Sequence, residues 1–339
     1  MANVKITPEV KKLLRNLADT YQTGDFSAGD PSDILRRYPC ARDTEVAAFI
    51  TAMLSFGKRE QFMQKVRTIL EPAGKHPALW IQSGAWQSDF PRGSRKLYRF
   101  FSYDDMRDLF ASMQNILTAH SSFGAFVKKA YEAERAAWYE TLEVNTGHGK
   151  KSTKCTESNH NLSAAGIKLA DYNAHSINKK NASGGTIGAV KANGKNGKAI
   201  VRGAKASRPT IETPASAESF SASSVLLQII ADAFAECRAV PGKAGSANKR
   251  TNMFLRWMVR TNSPVDVGLW TWFSPADLLV PLDTHVLRQA KKLGLISERS
   301  AATEKTAREL TEALKQIWPD DPCRGDFALF GLGVSEQFE

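Results

Sequence analysis

The 339 residues, 42% hydrophobic and 24% charged, suit one large globular domain or two modest ones and exclude collagen, coiled coil and wholesale disorder. The formal charge of +11 is unevenly placed: 12 Lys and Arg face only Glu157 and Asp171 between Gly147 and Pro209, leaving 34 basic against 33 acidic residues elsewhere. A nearly neutral body with one basic stretch is therefore expected, not a protein that is basic throughout.

No apolar run approaches a membrane span, and the opening MANVKITPEVKKLL lacks the pattern of a signal peptide. Cys40, Cys155, Cys237 and Cys323 are too few and too scattered for a disulfide framework or a metal cage. These features predict a cytoplasmic protein with no metal and no cofactor.

Along the chain, apolar residues recur at helical spacing. Val46, Phe49, Ile50, Met53 and Leu54 form one stripe; Phe62, Met63, Val66, Ile69 and Leu70 form the next, after Gly57. Met106, Leu109, Phe110, Met113, Ile116 and Leu117 make a third, which Ser102 or Asp104 is placed to cap. From Gly147 to Thr213 the pattern stops. This stretch up to Pro209 holds 9 of the 23 glycines and a single aromatic, Tyr172, so it has too little apolar surface to offset its chain entropy. It is predicted to be a disordered basic insertion.

Beyond it, Val225, Leu226, Ile229, Ile230 and Ala233 pattern a fourth helix, and Met253, Phe254, Trp257 and Met258 a fifth. A further one carries Ala307, Leu310, Leu314 and Ile317 and stops at Pro319. With no long period-two segment, the predicted class is all-α: a helical body in two parts, 1–146 and 214–339, interrupted by the insertion at 147–213, with a cleft between two lobes.

Two segments carry more than packing. In VPGKAGSANKRTNMFLRWMVR, Val240 to Arg260, a turn with Gly242 and Gly245 leads into a helix opened by Asn248, Lys249 and Arg250. Glycine-permitted backbone at a helix start leaves amide N–H groups and positive charge where an anion such as a DNA phosphate can sit. In LLVPLDTHVLRQAKKLGL, Leu278 to Leu295, Asp283 follows Pro281 at the N-cap of a helix closed by Gly294. On spacing alone, Asp283 is a helix cap.

Together and in this order the two segments resemble the helix-hairpin-helix superfamily of DNA glycosylases and abasic-site lyases. PLDTHVLRQAKKLGL is similar to that superfamily's aspartate segment, and Lys249 falls where its lysine opens the helix after the hairpin. DTEVAAFITAMLSFGKREQFMQKVRTIL, from Asp43, resembles its early helix pair, and DFALFGLG, from Asp326, its closing helix. The chain resembles still more closely a bacterial family that carries only a domain-of-unknown-function label, through NKR-x-NMFLRWMVR, PLDTH and DFALFGLG.

The hairpin PGKAGSANK and the interval from Lys249 to Asp283 are longer than usual, nearest to the archaeal 8-oxoguanine glycosylases. At the early turn, where many members place a glutamine wedge, this chain has Gly57, Lys58 and Arg59, and the C-terminal iron–sulfur cysteines of some members are absent.

The resemblance implies base excision from DNA. Lys249 would attack C1′ of a flipped nucleotide and form a Schiff base, with Lys243 as the alternative nucleophile, while Asp283 would take the lysine proton or stabilise the cationic sugar. It places Gly242, Gly245, Asn248, Arg250, Lys58 and Arg59 against DNA, with His285 and Arg288 in supporting positions. Trp257, Trp270 and Trp272 are candidates for stacking on a flipped base, but tryptophans at helical and loop spacing are more often core. The implied partner is duplex DNA with a damaged base, an oxidised purine among the candidates, or an abasic site, bound by a monomer. The competing expectation is a non-catalytic protein that binds DNA structure or a partner on the same fold.

Overall fold

The computed structural model describes residues 5–24, 30–145, 220–242 and 245–335. The basic insertion lies outside the described residues. The chain on either side of it, 1–150 and 221–339, forms one unit.

That unit is mostly helical. The first helix, α1 (Pro8–Tyr21), begins where Thr7 accepts from the Val10 amide and Pro8 occupies the first turn. It is followed by a short 3-10 helix, Pro31–Arg36, and by α2 (Ala41–Leu54). Every residue of α2 from Asp43 to Leu54 is buried, because other elements cover it on all sides. Then come α3 (Arg59–Leu70), α4 (Pro77–Ser83) and α5 (Trp86–Asp89), a two-stranded antiparallel hairpin of β1 (Lys96–Tyr98) and β2 (Phe101–Ser102), α6 (Tyr103–Ala119) and α7 (Phe123–Asn145). Beyond the insertion lie α8 (Ala222–Ala233), α9 (Lys249–Val259), α10 (Thr284–Lys292), α11 (Glu304–Lys315) and α12 (Arg324–Ser335).

The predicted helices are all present. Ser102, not Asp104, caps α6: its hydroxyl receives the Asp105 amide while the Asp105 carboxylate receives the Ser102 amide, a reciprocal capping box. The β-hairpin was not foreseen, because strands of three and two residues leave no alternation to read.

The two sequence-distant parts meet through aromatic rings around α2. Phe49 touches Phe123 of α7 and Phe234 beyond α8, both at 4.8 Å between centroids, and Phe254 of α9 at 5.1 Å. Trp270 closes the cluster at 5.4 Å from Phe254, and its indole N–H donates to the buried Glu45 carboxylate at 2.8 Å. The same carboxylate accepts from the Gly124 amide, which satisfies a charge that burial would otherwise penalise. Elsewhere, α12 packs on α1 and on α10.

Candidate active site

A cleft of about 640 Å³ opens where four elements meet. Its walls are the turn between α2 and α3, the first half of α9, the segment entering α10, and α12. Among the charged residues that line it are Lys249, Asp283 and Asp326, at the starts of three different helices, with Asp30 on the 3-10 helix side.

Lys249 is the first residue of α9 and is half-buried. The chain approaches it through Gly245, at φ 75°, and Asn248, whose left-handed backbone (φ 44°, ψ 43°) turns the chain into the helix without a side-chain cap. Behind this entry, the Asn252 side-chain amide donates to the Ala247 carbonyl at 2.9 Å and pins the turn to the helix. Gly242 has no positive φ, and a Cβ there would make only ordinary contact with Ala231.

Asp283 is the N-cap of α10. Its Oδ1 accepts from the His285 and Val286 amides, both at 2.9 Å, which leaves Oδ2 outside these bonds. Helix capping and a place in the cleft are therefore both properties of Asp283, and the cap orients its second oxygen.

Asp326 sits in the first turn of α12, and the Arg256 guanidinium donates to it. Burial pushes its pKa up to about 6, Arg256 and Lys249 oppose the shift, and Asp283 adds to it. Asp326 ends a chain of ion pairs running inward from the cleft. Arg256 also binds Asp266 at 3.2 Å, Asp266 binds Arg260, and Arg260 binds Asp321 at 2.7 Å. The Asp266 side chain is 0% exposed and that of Arg260 1%. Three carboxylates thus share two guanidinium groups. The Phe327 ring lies against both arginines, at 4.6 Å and 5.3 Å.

Of the predicted residues, the fold brings Lys249, Asp283, Arg59, Arg250 and His285 to the cleft. Arg59 is exposed and lies 5.9 Å from the Phe330 ring. His285 is exposed and is held through its backbone to Asp283. Arg250 is turned inward: its guanidinium donates to the Met53 carbonyl and, at 3.0 Å, to that of Ala239, and burial pushes its pKa down to about 10.

Lys58, Arg288, Gly242, Gly245 and Asn248 do not line the cleft, although Lys58 and Arg288 are exposed beside it in sequence. Lys243 lies outside the described residues. Trp257 and Trp270 are buried in the core, Trp272 stacks on Trp270 at 5.6 Å, and none of the three lines the cleft. Sequence reasoning missed the roles of Asp326 and Arg256. The only signal for Asp326 was its place at the head of DFALFGLG, and for Arg256 a cationic residue in the otherwise apolar run MFLRWMV.

Among the described residues no group of three His, Cys, Asp or Glu side chains is arranged to hold a metal ion, and no helix is long and apolar enough to cross a membrane. Cys237 is buried and its thiol is pushed up to about 12 by desolvation, outside the range of a reactive thiolate at neutral pH.

Fold and cleft together define a helical protein with one amine and three carboxylates, those of Asp30, Asp283 and Asp326, lining one cleft. The family model described as "Protein of unknown function (DUF2400)" matches residues 30–182 and 174–335, and the chain belongs to that family. No curated protein and no solved structure matches it.

Proposed function

We propose that the protein is a DNA glycosylase-like base-excision enzyme, related to the helix-hairpin-helix superfamily, that removes a damaged base through Lys249 and then cleaves the abasic site through the same Schiff base. The observation that carries this reading is the convergence of Lys249, Asp283 and Asp326 in one cleft, from segments up to 77 residues apart in the chain. The similarity of PLDTHVLRQAKKLGL to the superfamily's aspartate segment supports it independently.

The chemistry follows from the three groups. The Lys249 amine, after giving its ammonium proton to solvent water, attacks C1′ of a nucleotide turned out of the duplex. The C1′–N bond breaks, its electron pair leaves with the base, and the base takes the Asp326 proton. The ring oxygen then departs from C1′ with the proton that the amine gives up, leaving an iminium between Lys249 and the sugar. Asp283, held by its two amide bonds, presents Oδ2 to the positive charge that develops on the sugar.

The test is borohydride reduction of the full chain mixed with duplexes carrying an abasic site or an oxidised purine. A covalent protein–DNA band is the expected result. Binding to DNA with no adduct on any of these duplexes would overturn excision in favour of a non-catalytic DNA-binding role on the same fold.

A pH dependence follows from Asp326. With its carboxyl pushed up to about 6, single-turnover base release should fall as pH rises above that value, and Asp326→Asn should remove this limb of the profile while slowing release at pH 5.5. Stability shifts in the same direction. The folded state holds this proton more tightly than the unfolded chain, so the contribution is full below the ordinary carboxylate range and is lost as pH rises through about 6.

A further inference from the structure

The turn that replaces a glutamine wedge with Gly57, Lys58 and Arg59 does not stand alone: the β1–β2 hairpin lies on it. The Tyr98 hydroxyl donates to the Phe56 carbonyl at 2.5 Å. Gly57 adopts φ 87°, a backbone conformation that favours glycine, and the Tyr98 hydroxyl and Arg99 side chain lie close against it. Phe101 is buried, and Ser102 is locked by the capping box of α6.

The base of the hairpin is thus fixed, while its two-residue tip is not covered. Arg99 holds a left-handed backbone (φ 51°), and the Phe100 ring is 51% exposed. That ring stacks on Phe56 at 4.8 Å with the planes 22° apart, and Phe56 itself lines the cleft. A half-exposed aromatic ring therefore lies one ring beyond the cleft wall, with Phe101 4.6 Å from it.

The hairpin segment itself carries charge of one sign. Between Asp89 and Asp104 the chain carries Arg92, Arg95, Lys96 and Arg99 and no carboxylate, and all four are exposed, as are Lys58 and Arg59 on the supporting turn. Arg238 lies 5.7 Å from the Phe100 ring and also faces Asp105 at 3.9 Å. A half-exposed apolar ring on a rigid support, with Arg238 beside it and four exposed cations in the same chain segment, is complementary to a polyanion that can open a stacking gap.

We propose that the β1–β2 hairpin is the element that enters the DNA duplex, with Phe100 filling the gap left in the base stack and Arg99 and Lys58 holding the flanking phosphates. This rests on the DNA reading of the cleft. It gives the fold a means of holding a nucleotide out of the stack that the turn at Gly57 lacks.

The experiment compares two duplexes at one salt concentration, one intact and one carrying a tetrahydrofuran abasic analogue, by fluorescence anisotropy. Wild type should prefer the analogue at least ~10-fold, Phe100→Ala should bring that preference to within about twofold, and Phe100→Trp should restore it. Circular dichroism of Phe100→Ala should match wild type, and its thermal midpoint should be only modestly lower, since the half-exposed ring gives up its contacts with Phe56 and Phe101. Arg99→Ala and Lys58→Ala should weaken both duplexes alike and lower the salt slope by about 1 each. Preference retained in Phe100→Ala would overturn the wedge; excision would still stand if wild type gives the borohydride adduct. Failure of wild type to bind either duplex would overturn both, and would hand the exposed ring to a protein partner.

Discussion

Lys249→Gln is expected to abolish the borohydride-trapped adduct while leaving duplex affinity within about threefold of wild type. Glutamine preserves much of the stem at the start of α9 and its polarity but has no amine to form an iminium, so the covalent product must vanish if Lys249 is the nucleophile. Asp283→Asn is expected to slow base release by at least ~10²-fold without unfolding the protein. Asparagine still offers an oxygen to the His285 and Val286 amides, so α10 keeps its cap and only the charge facing the sugar is lost. The two variants should therefore fail at different steps: Asp283→Asn should still trap on a preformed abasic site, where no base has to leave. Trapping that persists in Lys249→Gln and disappears in Lys243→Gln would move the nucleophile to the hairpin. A loss of helicity in Asp283→Asn would reduce Asp283 to its capping role.

The second large effect lies beneath the site. Asp266→Ala should destabilise the fold by about 3–5 kcal/mol, read as a lower urea midpoint with unchanged slope, because it removes the shared partner of two buried guanidinium groups. Arg260 would keep Asp321, and Arg256 would keep Asp326 alone. The stability loss should thus come with a change in the cleft. With Arg256 no longer divided between two carboxylates, Asp326 should hold its proton less tightly, and the fall in base release should begin at a lower pH than in wild type. A loss below 1 kcal/mol, or a pH profile that does not move, would show that the ion-pair chain does not support the cleft. Asp321→Asn is a useful comparison. Asp321 is 23% exposed, so water can take over part of its role, and a smaller loss is expected.

The helices were legible because their signal is local. The stripes at Val46–Leu54, Phe62–Leu70 and Met106–Leu117 repeat at the period of a helix, with Gly57 between the first two and Ser102 placed to cap the third. Lys249 and Asp283 could be singled out for the same reason: each opens a helix after a turn, a position that residue type and neighbours betray. The charge arithmetic likewise separated a nearly neutral body from one basic stretch with no structure in hand.

What the tertiary structure decided is which of these positions face one another and which charges remain available to solvent. Arg250 has the same formal charge as Arg59, yet two backbone carbonyls hold the first inward while the second stays exposed at the cleft. Asp326 looked like one more residue of a closing helix, and its value near 6 arises from burial and from Arg256, Asp283 and Lys249, all distant in sequence. The hairpin that presents Phe100 is too short to leave a periodic trace and exists because Tyr98, Gly57 and Ser102 pin it from three places. Periodicity records which face of an element is buried, whereas desolvation and ion pairing depend on distances between elements, and those are set only when the helices pack.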